Sequence, residues 1–162
     1  MSGKDVKRVV QYFYNIPEMA RILREEQREV EDVYDTLKAA VGGEVGHGGG
    51  GPGRPVEMAA SRALDKGAWE RAGEIGVKLE VLEGDAAAVR ACLDGLCGRY
   101  KRVLEMRHRF GYSWGKISVT LGVPDSTARN WYHKAVLCLG EALEDVPMAD
   151  ELVGRASRAR TT

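Results

Sequence analysis

The strongest structural signal in this chain lies in residues 103–139, which read VLEMRHRFGYSWGKISVTLGVPDSTARNWYHKAVLCL. Apolar and small residues in this segment recur at the spacing of contacts between two short helices: Ile117, Leu121, Val123, Ala128, Trp131 and Ala135. Gly122 lies between the two series, where a tight turn favours a residue without a Cβ atom. The pattern predicts a helix-turn-helix, a motif that places its second helix in the major groove of DNA.

Local signals predict where the two helices of the motif begin. Ser113 is a good N-cap, so the first helix is predicted over residues 114–121. Pro124 and Asp125 predict the start of the second helix, because proline has a preset φ and a carboxylate favours the positive end of the helix dipole. A break near residues 110–113 separates the motif from the segment before it.

The chain as a whole is predicted to be all-α, because helix-forming residues dominate and no alternating strand pattern appears. We divide it into an N-terminal heptad helix, a glycine-rich linker, a long second helix, the helix-turn-helix DNA-binding domain and a flexible tail: residues 1–41, 42–55, 56–97, 98–145 and 146–162. This order predicts an N-terminal helical hairpin or coiled coil followed by the C-terminal motif.

Both long helices carry a heptad seam. The first is predicted to open at Pro17 and Glu18 and to run to about residue 41. The second continues the same spacing from Ala72 to Val103, with a predicted break near residues 94–98 where glycines weaken it. The glycine loop favours an antiparallel hairpin within one chain. The same seam would also suit a dimer, and the sequence leaves both open.

Charge is distributed unevenly although the net charge is zero. Residues 98–140 contain 8 Lys and Arg against 2 Asp and Glu, a net charge of +6. Residues 1–97 carry −4 and residues 141–162 carry −2. Because salt screens phosphate attraction beyond about 8–10 Å, this clustering matters more for DNA binding than the total does.

The outward face of the second motif helix carries the residues predicted to read bases: Asp125, Ser126, Arg129 and Asn130. Arg129 suits guanine and Asn130 suits adenine, whereas Asp125 would either cap the helix or accept from cytosine N4. The residues predicted to hold the DNA backbone or flanks are Arg99, Lys101, Arg102, Arg107, Arg109, Lys116, His133 and Lys134. The competing interpretation is a solvated helix face, with Trp114 and Trp131 in the core.

Several other function classes find no support in the sequence. The cysteines Cys92, Cys97 and Cys138 lie in apolar helical context without a secretion signal, so we expect buried thiols in a reducing cytoplasm. Neither a metal site, nor a cofactor, nor an enzyme active site is predicted, because no ligand or catalytic set has suitable spacing. No apolar run approaches the roughly 20 residues of a membrane span.

A series of short motifs follows along the chain: Leu-x-x-Arg-Tyr-x-x-Val-Leu-x-x-Arg, Gly-Tyr-Ser-Trp-x-x-Ile, Leu-Gly-Val, Ser-Thr-Ala-Arg and His-Lys-Ala-Val-x-x-Leu. With them, residues 96–143 resemble region 4 of bacterial sigma factors. The order of segments is similar to that of phage sigma-like regulators of the ArpU/RinA type, which are associated with late-gene transcription. The resemblance implies double-stranded DNA and RNA polymerase as partners. It places promoter reading on Asp125, Ser126, Arg129, Asn130 and Lys134.

The chain departs from the sigma pattern at Pro124, where a Ser or Thr cap is usual, and at Ala128, where Val or Ile is usual. No region 2 and no aromatic-rich basic helix for melting DNA is present, so a duplex-binding regulator is predicted rather than a complete sigma factor. A helix-turn-helix joined to heptad helices also describes small terminase subunits, which recognise packaging sites and assemble as rings. This is the alternative function, and a homo-oligomer through the heptad helices suits either.

Overall fold

The computed structural model describes residues 1–42 and 54–159. These residues form six α-helices and no strand, which confirms the all-α prediction: α1 Gly3–Gly42, α2 Arg54–Asp94, α3 Gly98–His108, α4 Trp114–Leu121, α5 Asp125–Glu144 and α6 Ala149–Arg158. Two structural units result: a larger unit, Met1–Pro17 with Leu82–Thr162, and a smaller unit, Glu18–Val81. Most of the predicted glycine-rich linker lies outside the described residues.

The first helix begins at Gly3, so the prediction that a helix opens at Pro17 is wrong. Ser2 starts the helix, because its Oγ accepts the N–H of Asp5 at 3.2 Å. Val6, Val9 and other side chains before the proline are fully buried on one face. This burial compensates for Pro17 inside the helix, which costs about 3 kcal/mol in an isolated helix.

The larger unit has its core around α5, against which α3 and α4 pack. Its fully buried side chains come from every helix of the unit: Val6, Val9, Val10, Val89, Leu93, Val103, Leu104, Ile117, Leu139, Leu143 and Leu152. The first turns of α1 pack against the second half of α5, where Gly140 permits the approach. A Cβ atom on Gly140 would lie 3.1 Å from Val6 Cγ2.

The predicted flexible tail is wrong for residues 149–158, which form α6. Leu152 and Ala156 are buried, and Arg155 holds the buried carboxylate of Asp85 through two hydrogen bonds of 2.8 and 2.7 Å. The Tyr12 hydroxyl donates to the same carboxylate at 2.8 Å, and burial together with this bond raises the pKa of Tyr12. The tail is therefore ordered by contacts with α1 and α2, which its own sequence does not reveal.

In the smaller unit α1 and α2 run antiparallel within one chain. Glu26 of α1 forms an ion pair with Arg71 of α2, and the rings of Tyr34 and Trp69 meet edge to face at 6.3 Å. A contact nearer the C-terminus of α1 is thus nearer the N-terminus of α2, as in an antiparallel pair. Ile75 is fully buried here. None of the described helices is long and apolar enough to cross a membrane.

Candidate nucleic-acid interface

Helices α4 and α5 form the predicted helix-turn-helix. Ser113 caps α4, with its Oγ accepting the N–H of Lys116 at 3.3 Å, and the helix has the predicted bounds. Gly122 ends α4 in the left-handed region, at φ 65°, and its N–H donates to the carbonyls of Ser118 and Val119. Pro124 then precedes α5 and provides no side-chain cap. The turn therefore depends on glycine at one end and proline at the other.

Fewer side chains are fully buried inside the motif than the helical spacing predicted. Of the six predicted contact residues, Ile117, Ala128 and Ala135 are fully buried, whereas Leu121, Val123 and Trp131 are partly exposed. The ring of Trp131 lies 5.6 Å from the guanidinium of Arg99. Trp131 thus covers the outside of this small core and does not fill it.

The polar face of α5 points to solvent. Ser126, Arg129, Asn130, His133 and Lys134 are all exposed. Helical spacing places Ser126, Asn130 and Lys134 in one row, with Arg129 and His133 in the next. Within residues 1–42 and 54–159, only Arg129 of these five has a hydrogen bond or ion pair. The other four donors and acceptors are available to a ligand in the groove of DNA.

Arg129 is held in place by two neighbours. Its Nε donates to Asp125 Oδ2 at 2.7 Å, and its guanidinium carbon lies 4.9 Å from the centre of the Trp114 ring. Asp125 Oδ1 is buried and accepts no hydrogen bond from any described residue. Nε is thus occupied, while both terminal nitrogens of Arg129 lack a partner among the described residues. Asp125 acts here as a support for Arg129.

The ring of Trp114 also contacts side chains of α3 and α5. The guanidinium of Arg107 lies 5.1 Å from the ring centre, and its Nη1 donates to the carbonyl of Tyr112 at 2.8 Å. Tyr132 meets the ring edge to face at 5.2 Å. Trp114 is therefore a support for charged side chains as well as a packing residue. This role of Trp114 was not predicted from the sequence. The available signal was the spacing of Asp125 and Arg129, which are four apart on one helix and can therefore pair.

The other predicted phosphate-binding residues differ in their surroundings. Arg102 is exposed and has no carboxylate partner among the described residues, and Lys116 Nζ lies 3.8 Å from the centre of the Tyr112 ring. Arg109 pairs with Glu105 at 2.6 Å, and Lys101 pairs with Asp94. Such exposed pairs contribute at most about 1 kcal/mol, so they leave these cations able to exchange a carboxylate for a phosphate.

His108 links three helices, a role that the sequence did not reveal. Its Nδ1–H donates to Gln11 Oε1 at 3.3 Å, and its Nε2 accepts from the Tyr132 hydroxyl at 3.0 Å. Burial, with the nearby charges of Arg107 and Lys7, lowers the pKa of His108 to about 4. The imidazole is therefore neutral at pH 7, which suits its two roles as donor and acceptor.

His108 makes stability depend on pH in one direction. The unfolded chain protonates this residue near pH 6.5 and the folded chain only near pH 4, so the unfolded chain binds more protons between these values. The free energy of unfolding should therefore fall as the pH drops through this window, by up to about 1.4 kcal/mol per pH unit. His108→Gln should flatten the decline in melting temperature between pH 7 and 5. His133→Gln, at an exposed histidine, should melt like the wild type, and parallel curves for all three proteins would contradict the assignment.

The expectation of buried thiols is wrong for Cys97 and Cys138, which are exposed, whereas Cys92 is partly buried. Cys97 precedes α3 in a short connection, and Cys138 lies on the outer face of α5. Burial raises the pKa of Cys92, and the charge of Asp145 adds to this effect. In the part of the chain that the structure describes, no group of three or more His, Cys, Asp or Glu side chains could hold a metal ion.

Helices α4 and α5 form a helix-turn-helix, and a comparison with protein families specifies its type. The model of sigma-70 region 4 matches residues 86–139, from the last turns of α2 through most of α5. This segment is therefore a sigma region 4-like helix-turn-helix, a DNA-binding domain. It comprises 54 of the 162 residues. Comparisons with curated proteins and with solved structures gave no match.

Proposed function

We propose that this protein is a transcriptional regulator of phage or prophage genes that binds duplex DNA sequence-specifically, with α5 as its recognition helix. The observation that carries the proposal is the row of Ser126, Asn130 and Lys134 beside a pre-oriented Arg129. The three side chains are exposed and have no hydrogen-bond or ion-pair partner in residues 1–42 and 54–159. The sigma region 4-like match and the net charge of +6 in residues 98–140 support the same conclusion. RNA polymerase is the second partner that we propose, from the sigma resemblance.

Base reading is assigned to the first turns of α5. Nε of Arg129 donates its hydrogen bond to Asp125, so the two terminal nitrogens would be left to pair with O6 and N7 of one guanine. The amide of Asn130 would pair with N6 and N7 of an adenine, and Ser126 would contact an adjacent base. Because Asp125 and Trp114 already hold the guanidinium, binding should cost Arg129 less than the usual 0.5–1.5 kcal/mol, roughly, for ordering a side chain.

Backbone contacts are assigned to the polar and basic side chains around this face. Lys134 and His133 continue the exposed surface of α5, and Arg102, Arg109 and Lys116 provide charge from α3 and α4. Arg107 contributes charge too, but its hydrogen bond to Tyr112 and its contact with Trp114 make it mainly a support for the motif. Contacts of this kind set orientation and affinity, and they carry no sequence information directly.

The test is to select bound duplexes from random DNA and then to measure affinities of single variants for the selected site. Arg129→Ala and Asn130→Ala should each lose about 5- to 150-fold in affinity, the equivalent of 1–3 kcal/mol, and should relax the preference at one base pair. Arg28→Ala, at an exposed arginine of the smaller unit, is the matched control and should bind like the wild type. Undiminished selective binding by both α5 variants would refute α5 as the recognition helix.

The alternative is the small terminase subunit, which would use the same motif at a packaging site. The smaller unit exposes several apolar side chains, among them Val33, Trp69 and Val77. Such side chains favour self-association, which a ring-forming packaging protein requires. Light scattering on the protein used for selection separates the two. A monomer or dimer agrees with the regulator, whereas a ring of many subunits would favour the packaging protein and overturn the regulator.

A further inference from the structure

The first turns of α1 bring basic side chains to the flank of the recognition helix. Lys4 and Lys7 are exposed, and Lys7 Nζ lies 5.7 Å from the centre of the Tyr132 ring. Tyr132 follows Asn130 by two residues on α5. The backbone of α1 is close as well, since a Cβ atom on Gly3 would lie 3.6 Å from Val136 Cγ1. Lys7 therefore lies against the recognition helix, and Lys4 lies about one helical turn before Lys7 on α1.

These contacts fix α1 against the motif. His108 of α3 bonds to Gln11 of α1 on one side and to Tyr132 of α5 on the other. Val6 packs closely against Gly140, since a Cβ atom there would lie 3.1 Å from Val6 Cγ2. These hydrogen bonds and the packing of Val6 on Gly140 hold the first turns of α1 against α5, as phosphate binding by both helices on one duplex requires.

A groove of about 440 Å³ opens along the same face of α1. Cations, amides and the neutral histidine line it: Lys4, Lys7, Arg8, Gln11, Asn15 and His108. Tyr12, Ala156 of α6 and Ala159 just after that helix complete the lining, and none of these lining residues is a carboxylate. Arg8 pairs with Asp5 at 3.3 Å, whereas Lys4 and Lys7 have no carboxylate partner among the described residues. The groove therefore favours an anion.

Net charge, counted by structural unit, supports the same inference. The larger unit contains 15 Lys and Arg against 11 Asp and Glu, a net charge of +4, and the smaller unit contains 9 against 13, a net charge of −4. Counted along the sequence, residues 1–97 form one acidic block. The fold divides this block and joins its basic first turns to the basic motif within one structural unit.

We propose that Lys4 and Lys7 bind phosphates of the DNA that flanks the site read by α5, which makes the start of α1 part of the DNA-binding face. This inference rests on the proposed function. An acidic protein segment would meet the same cations, but contact with Tyr132 of the recognition helix favours DNA phosphate. The ligand class is therefore the sugar–phosphate backbone, bound without regard to base sequence.

The experiment is a salt series of affinities for the selected duplex and for an unrelated duplex. Lys4→Gln with Lys7→Gln should lower the slope of log affinity against log salt by about 1.8, since each lost phosphate contact removes about 0.9. The loss of affinity should therefore grow as the salt concentration falls, by roughly 60-fold for each tenfold dilution and equally for both duplexes. Lys66→Gln with Lys78→Gln is the charge-matched control in the smaller unit and should leave the slope unchanged.

The possible failures are distinguishable. In one outcome, the slope stays unchanged in the Lys4 and Lys7 double variant while the wild type binds selectively. That result would overturn this inference alone and would assign the groove to an acidic protein partner. Absence of duplex binding by the wild type would overturn the proposed function and this inference together. Thermal melting should give the same midpoint for both double variants, because all four side chains are exposed.

Discussion

Arg155→Ala is expected to lower the free energy of unfolding by about 3–5 kcal/mol, the cost of removing one partner from a buried ion pair. Asp85 is only 6 % exposed and accepts two hydrogen bonds from Arg155. Without the guanidinium, its carboxylate would retain a single hydrogen bond from the described residues, that of the Tyr12 hydroxyl. Because Asp85 contacts α1 and α6 at once, the loss should affect the whole larger unit and not α6 alone.

Urea or thermal unfolding, followed by circular dichroism, measures this effect. Arg158→Ala is the matched control, because Arg158 lies on the same helix and is exposed. It should change the free energy of unfolding by less than about 0.5 kcal/mol. If both variants unfold alike, the pair with Asp85 does not order the C-terminal helix, and α6 is held by Leu152 and Ala156 alone.

Ile117→Ala is expected to cost about 2–5 kcal/mol, because it removes three carbon atoms from the fully buried contact between α4 and α5. Ala128 and Ala135 of α5 are also fully buried, and both are too small to fill the cavity. The motif itself should loosen, so affinity for the selected duplex should fall together with stability.

Val119→Ala provides a control from the same short helix. Val119 is 83 % exposed, so its truncation should alter the free energy of unfolding by less than about 0.5 kcal/mol. Urea unfolding of both variants beside the wild type makes the comparison. A loss at Val119 as large as that at Ile117 would show that the buried face of α4 has been assigned incorrectly.

Local signals in the sequence predicted the motif well. Ser113 before α4 and Gly122 after it are residues whose chemistry acts on their own immediate backbone, through a side-chain cap and a left-handed turn. Their effect needs no distant partner, so the bounds of α4 were predictable. The polar face of α5 was predictable for the same reason, since helical spacing alone separates Ala128 and Ala135 from Ser126 and Asn130.

Long-range contacts explain where sequence reasoning failed. Pro17 normally signals a helix start, but burial of Val6 and Val9 extends α1 well before it. The tail contains charged residues and a proline, which are typical of a flexible segment. It is ordered because Arg155 hydrogen-bonds to Asp85, which is 70 residues away in the sequence. One signal was available: Asp85 lies three residues after buried Leu82 and four before buried Val89, so a carboxylate occupies an inward position of the seam.

The sequence by itself determined the helical class, the helix-turn-helix and the side chains that its outer face offers, because each depends on residues within a few positions of one another. Tertiary structure alone decided that α1 and α2 pair within the chain, that the Trp114 ring supports Arg129, and that Lys7 lies beside Tyr132. These features depend on side chains from separate helices meeting in space. The packing of the whole core sets such meetings, and spacing along the chain does not encode them.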